Sequence, residues 1–365
     1  MFQNLLQPLS PLAQGLIVAA TAMVFSLVFG PVMRRVGTRL HVVDVPNQRS
    51  SHTQIVPRTG GVAIILAMIC TMALMGKPTA PLLVAMGLGA MGSIVSFIDD
   101  FVSLSSLVRL LVHLGVAAVS IFMIQLHLRE LALPFWTLPF PYWVGLAVAA
   151  LFVTGFINFF NFMDGINGIA ASQGIVGAAT LAVLLAMGGA GNSVLVSAAL
   201  VGGCLGFLPY NFPRATMFMG DMGSTTIGFS LAMLTLIGAR HWPWVACLLP
   251  LGVFIYDATF TLFKRLLRGE NVLKAHREHH YQLLIRSGWS HLRVTLLQVG
   301  LMLLCSAAAL VYATRDDSLT RLFVLLGVLT MFAAYSVFVH RHFARRGNDK
   351  TPKETTQPVP SPESA

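Results

Sequence analysis

Long apolar runs, barely interrupted by charge, decide the solvent of this chain. Of its 365 residues, 56% are hydrophobic and only 10% are charged, against about 25% charged in a soluble globular domain. Its mean hydropathy is +0.75. Such a chain cannot cover itself with polar surface, so lipid has to surround it. Crossing the bilayer core takes roughly 20 mostly apolar residues per helix. The sequence offers about eleven such stretches, at 15–33, 60–76, 81–98, 107–126, 142–161, 168–188, 193–212, 223–239, 244–263, 294–313 and 320–341. They predict an all-α polytopic membrane protein of about 11 transmembrane helices over residues 1–346, with no room for a large soluble domain. Residues 347–365 are rich in Pro, Ser, Thr and charge; with nothing apolar to bury, they are expected to form a disordered tail.

The start of the chain has no basic segment before its first apolar run, so that run reads as a retained span and not as a cleaved signal peptide. Cys70, Cys204, Cys247 and Cys305 all fall inside apolar stretches, without metal-ligand or disulfide spacing. They read as small core hydrophobes.

Charge placement gives the orientation. One set of alternating connections comprises loops 34–59, 99–106, 162–167, 213–222 and 264–293 and the tail. With its flanks it holds all of the 24 Lys and Arg residues except Lys77, Arg129, Arg240, Arg315 and Arg321. The positive-inside bias puts this set in the cytoplasm, the N-terminus outside and the C-terminus inside. Because the basic excess lies beside spans, it suits anionic lipid head groups, and nucleic acid is not an expected partner.

Ionisable groups at membrane depth are expensive and usually functional. Asp99, Asp100, Asp164, Asp221 and Asp257 all fall at span ends or just inside them, on the basic side. The adjacent pair Asp99-Asp100 repels itself unless water or a cation is near; it reads as a solvated loop start or as a pair handling Mg2+ or phosphate. The run from Asn158 to Ala170 breaks an apolar stretch with amides, Asp164, Gly165, Asn167 and Gly168. Asn161 and Asp164, three apart, share a face while the helix lasts, and their oxygens are hard donors of the kind Mg2+ takes. The alternative is a capped structural loop. In Gly220-Asp221-Met222-Gly223-Ser224, Asp221 could be a helix N-cap, or a metal ligand beside an anion-binding helix start.

In loop 264–293, His276, His279 and His280 would share a helical face. Zinc, a plain basic helix and diphosphate binding are the three readings, and the surrounding Lys and Arg favour the anion. Asp257 needs a basic partner, for which Lys264 and Arg265 are the nearest in sequence. The first loop, with Asp44, Arg49, His52 and Arg58 before Gly60-Gly61, either touches a diphosphate or is an ordinary positive-inside loop.

Together, Pro57-Arg58-Thr59-Gly60-Gly61, Asp99-Asp100, Asn161-x-x-Asp164-Gly165-x-x-Gly168, Gly220-Asp221-x-Gly223-Ser224 and His276-x-x-His279-His280 resemble the polyprenyl-phosphate N-acetylhexosamine-1-phosphate transferases, of the glycosyltransferase family 4 type. The order and approximate spacing match over nearly the whole chain except the tail. The chain is more similar to initiators of O-antigen and other surface polysaccharides than to the lipid I synthase, which has three consecutive histidines where this chain has His-Arg-Glu-His-His. Asn167 stands where many members have Asp.

The resemblance implies undecaprenyl phosphate as acceptor, a UDP-N-acetylhexosamine as donor, Mg2+ (with Mn2+ as a substitute) and UMP as leaving group. It implies a bacterial inner membrane location with the site facing the cytoplasm, and it allows a homodimer. Asp221 would bind the metal with Asn161 or Asp164 nearby. Asp99, Asp100 and Asp164 would be catalytic, and Arg58, Asn167, His276, His279 and His280 would bind substrate. Direct attack by the lipid phosphate and attack through a phosphosugar on Asp99 both remain open. A secondary transporter is the competing class, but transporters place polar groups near the midplane in repeated broken helices. Here the acids sit at one face and no convincing repeat is present.

Overall fold

The computed structural model describes residues 9–44, 55–75, 92, 93, 95, 105–272, 274 and 276–347. Asp99, Asp100, most of the span expected at 81–98 and the tail beyond Gly347 lie outside the described residues.

Helix α1 (Pro11–Arg39) starts with Pro at its first position, and the Ser10 hydroxyl accepts from the Ala13 N–H at 3.3 Å. Both are standard devices for opening a helix. A short antiparallel ribbon follows, β1 (Val43–Asp44) with β2 (Val56–Pro57), and leads into α2 (Gly60–Met75). Helix α3 (Ser106–Met123), capped by Ser105, ends in a second ribbon of β3 (Glu130–Leu133) and β4 (Trp136–Pro139). Then come α4 (Tyr142–Met163), α5 (Ile169–Met187), α6 (Gly191–Asn211) and α7 (Gly220–Gly238). Helices α8 (Trp244–Leu248) and α9 (Gly252–Leu267) form one apolar rod broken by a 3-10 turn at Leu249–Leu251. The short α10 (His280–Arg286) precedes α11 (His291–Thr314) and α12 (Ser318–Gly347).

Eight of these helical stretches are long and apolar enough to cross a membrane among the described residues. The forecast of about eleven spans is thus matched in eight. Helix α2 is shorter, and α7 opens on a polar turn. Two forecast ends also move. Helix α1 runs on to Arg39 and α12 to Gly347, so Arg34, Arg35, Arg345 and Arg346 lie on helices and not in loops. Arginine is a good helix former, and its long stem keeps the charge in water while the helix continues.

The chain runs up and down. The ends of α1, α4, α6, α9 and α12 gather at one face with the starts of α2, α3, α5, α7 and α11. The opposite face is tied by Arg240, which donates to the Ile124 and Gln125 carbonyls, and by Trp242, which donates to Leu184. Helices α1 and α6 touch closely. A Cβ on Gly202 would lie 2.0 Å from the Ala19 carbonyl, and one on Gly206 would lie 2.4 Å from that of Met23. Such small-xxx-small spacing lets helix backbones approach where lipid gives no hydrophobic drive. Outward-facing Leu16, Trp143 and Phe323 are exposed by 74%, 70% and 67%, as a lipid-facing surface requires.

Candidate active site

Two backbone segments meet where the starts of α2 and α7 lie together. Phe218 N donates to the Pro57 carbonyl at 2.7 Å, Gly60 N to Phe218 at 2.9 Å and Gly61 N to Met219 at 2.8 Å. A Cβ on Gly61 would sit 2.3 Å from the Gly223 Cα, and Gly220, at φ +74°, faces the Arg58 carbonyl at 2.5 Å from its own missing Cβ. Gly61, Gly220 and Gly223 are therefore explained by one contact, while a Cβ on Gly60 would meet the Phe207 ring at 2.2 Å. That contact brings two helix N-termini, each with positive partial charge, side by side.

Asp221 stands in the first turn of α7 but is not its N-cap, the place taken by Met219. Its carboxylate is partly exposed and lies 3.9 Å from Arg109 at the start of α3. Arg58 pairs with Asp44 at 2.9 Å.

The second half of the site is the turn from α4 to α5. Asp164 caps α4, and Gly168, at φ +79°, opens α5. The turn is pinned from three sides. Gly168 N donates to Asn211 Oδ1 at 2.7 Å, Asn167 Nδ2 to the Pro213 carbonyl at 3.0 Å, and Thr295 to the Asn167 carbonyl at 2.8 Å. Tyr281 Oη donates to the Phe162 carbonyl at 2.9 Å. Asn161 lies in the last turn of α4, while Asp164, expected on the same helical face, follows the last helical residue Met163 as C-cap.

Burial pushes the Asp164 carboxyl up to about 7; the Asp221 carboxylate adds to the rise and the Arg58 cation opposes it. Asp164, Asp221 and Arg58 are thus electrostatic neighbours. Asn161 Oδ1 is buried with no hydrogen-bond partner. Two carboxylates that raise proton affinity at one site, next to an unpartnered amide oxygen, form a donor set that fits a hard divalent cation completed by water or phosphate oxygens. Among the described residues, no group of three His, Cys, Asp or Glu side chains could hold a metal ion.

The histidines do not share a helical face. Helix α10 begins at His280, with His279 as its N-cap and His276 in the preceding loop. The rings of His276 and His279 still approach, with centroids 4.9 Å apart. Burial, then the neighbouring His279, lowers the His276 pKa to about 4. His279 and His280 are buried, and both turn toward Asp257. The expected partners of Asp257 are engaged elsewhere. Lys264 Nζ lies 2.9 Å from His340, and Arg265 pairs with Glu270 and Glu278, each at 3.3 Å. Sequence distance had favoured them, but the fold brings the later loop back onto α9.

Reading the sequence missed Arg109, Asn211 and Tyr281 as site-building residues. Arg109 was one basic flank among many, and Asn211 and Tyr281 lie outside the recognised motifs. The available signals were an amide at the end of the 193–212 run and a phenol directly after the histidine motif.

Residues 82–239 match the family model described as glycosyl transferase family 4. The chain is 32% identical over 326 residues to a Bacillus subtilis protein named probable undecaprenyl-phosphate N-acetylglucosaminyl 1-phosphate transferase, covering 87% of this chain and 90% of that one. It is 28% identical over 384 residues to the decaprenyl-phosphate N-acetylglucosaminephosphotransferase of Mycobacterium tuberculosis, covering 93% and 91%. To the phospho-N-acetylmuramoyl-pentapeptide-transferase of Shouchella clausii it is 30% identical over 292 residues, covering 73% and 84%.

Proposed function

Because the chain belongs to glycosyl transferase family 4, the polyprenyl-phosphate N-acetylhexosamine-1-phosphate transferases, we propose that it moves N-acetylhexosamine 1-phosphate from a UDP-sugar onto undecaprenyl phosphate at the cluster of Asn161, Asp164 and Asp221, releasing UMP. One observation carries this assignment: the starts of α2 and α7 are joined by the bonds of Gly60 and Gly61 to Phe218 and Met219, which sets Asp221, 3.9 Å from Arg109, at two helix N-termini.

A phosphate monoester has a second pKa of about 6 and is largely dianionic at neutral pH, so the acceptor needs no general base. Its oxygen forms a bond to the sugar-linked phosphorus while the bond to UMP breaks, and UMP leaves with the electron pair. Asp221, Asp164 and Asn161 would hold Mg2+ or Mn2+, which supplies charge neutralisation at the diphosphate. Arg58 and Arg109 lie where they can hold phosphate oxygens, and the positive ends of α2 and α7 favour the same anions. The pinned 164–168 turn keeps Asp164 in place while charge moves. With the basic loops at this face, the site opens to the cytoplasm, where nucleotide-sugars and the inner-leaflet acceptor meet, and the product would begin a cell-surface polysaccharide.

The test is the purified protein in a bilayer containing undecaprenyl phosphate and Mg2+, offered a panel of UDP-N-acetylhexosamines. UDP-N-acetylglucosamine is the first donor to try, since two of the relatives above carry that sugar in their names. Acceptor-dependent UMP release with a butanol-extractable labelled lipid supports the reading. A folded protein that yields neither with any donor overturns it.

A further inference from the structure

Asp257 is 1% exposed and lies inside α9. Its Oδ1 accepts from His280 N at 3.0 Å and from Thr261 Oγ1 at 3.2 Å, and it lies 3.1 Å from His280 Nδ1 and 3.2 Å from His279 Nδ1. Its Oδ2 has no hydrogen-bond partner. A buried carboxylate needs compensation, and with Lys264 and Arg265 turned elsewhere the two imidazoles supply it. An ionised carboxylate only accepts, so both Nδ1 atoms carry hydrogen.

The remaining nitrogens then differ. His280 Nε2 lies 2.8 Å from Ser336 Oγ, which in turn lies 2.7 Å from Tyr256 Oη. The ring is enclosed by Tyr256, Phe260, Tyr335 and His340. His280 is a clamp between α9 and α12, with both nitrogens engaged. His279 instead stands beside the α4–α5 turn, its ring centroid 6.3 Å from that of Phe162 and 6.0 Å from that of Tyr281. Its Nε2 lies on the ring edge turned away from Asp257.

We propose that Asp257 is a positioning residue that fixes both histidines by their Nδ1–H, consigning His280 to the helix clamp and leaving His279 Nε2 to serve the donor diphosphate. This rests on the proposed function above and on the substrate-binding role that the family resemblance implies for His279. A carboxylate that orients a metal-bound imidazole in this way is typically worth about 10–100-fold in metal affinity or activity, and the same scale is expected for Asp257.

The experiment measures separate KM values for UDP-sugar and undecaprenyl phosphate, with melting temperature, in the full-length protein. Asp257→Asn is expected to raise the UDP-sugar KM by about 10–100-fold without changing the acceptor KM. Ser336→Ala, which loosens only the clamp, is expected to lower the melting temperature and leave both KM values near wild type. An unchanged UDP-sugar KM in folded Asp257→Asn protein, or an equal rise in both KM values, overturns the proposal. If Asp257→Asn does not fold, His279→Gln and His280→Gln decide. The proposal requires the donor KM to rise with the first and mainly stability to fall with the second; equal or reversed effects contradict it. A folded wild type that releases no UMP removes the underlying reading instead, which separates the two failures.

Discussion

Gly61 and Gly223 meet backbone to backbone, so closely that a Cβ on Gly61 would lie 2.3 Å from the Gly223 Cα. That contact holds the starts of α2 and α7 together and sets where Arg58 and Asp221 stand. Gly61→Ala must push the two helices apart, because the obstructing atoms are backbone. Overpacking of this kind costs about 1–3 kcal/mol, and transferase activity is expected to fall more steeply than stability. Gly115→Ala in α3, where a Cβ would meet nothing within 4 Å, is the control and should behave as wild type in melting and turnover.

Asp164 gives the site a pH dependence. Its carboxyl is raised from 3.8 to about 7, first by burial and then by Asp221. Below about pH 7 the folded protein therefore keeps a proton there that the proposed divalent cation would have to displace. The cation concentration for half-maximal activity should rise by about tenfold per pH unit as pH falls below 7, and change little above it. In cation-free protein the sign for stability is also fixed. Between about pH 4 and 7 the folded state binds more protons at Asp164 than the unfolded state, so this group's contribution falls as pH rises through that window and then levels off. Asp164→Asn should remove the stability dependence, read by melting curves of the cation-free protein across about pH 4 to 7.

Asn211 joins two halves of the site. Its Oδ1 accepts from Gly168 and its Nδ2 donates to the Met217 carbonyl at 3.1 Å. Asn211→Ala leaves a buried N–H and a carbonyl unpaired, at about 1–3 kcal/mol each when unrelieved by water. The expected result is a lower melting temperature and a loss of turnover without a change in membrane insertion. Asn211→Asp should keep the bond to Gly168 and recover part of the loss.

Tyr281 supports the same turn from the other side, donating to the Phe162 carbonyl while Gly165 leaves room for its ring. Tyr281→Phe removes that bond and the one its hydroxyl accepts from Gln282 Nε2 at 3.1 Å, and should cost about 1–3 kcal/mol, visible in the melting temperature. Gly165→Ala would drive a methyl to 2.1 Å from Tyr281 Oη and should be the more damaging of the two, read as lost UMP release.

The apolar runs made the spans legible, and the motifs at their ends pointed to Asn161, Asp164 and Asp221. What the sequence could not show is which face of each helix looks inward. In lipid both faces are apolar, as on α1, where Leu16 is exposed to 74% while Val18 is fully buried, so periodicity carries little signal. The contact of Arg58 with the α7 start, and the return of His279 and His280 onto Asp257, depend on loop closures that local pattern does not encode. The guess that Asp257 pairs with Lys264 or Arg265 failed for that reason. The ribbons β1–β2 and β3–β4 were missed because two- and four-residue strands have no period to read.

The most direct test of the account removes one charge. Asp221→Asn is to be compared with wild type in the same bilayer, with undecaprenyl phosphate, Mg2+ and the donor that works, scoring UMP release. Losing the proposed cation ligand would remove several kcal/mol of charge neutralisation at the transferring group, so turnover should fall by about 10³-fold or more while the protein still inserts and melts as wild type does. Near-normal turnover in folded Asp221→Asn protein would contradict the assignment of the reacting site to the meeting point of α2, α4 and α7.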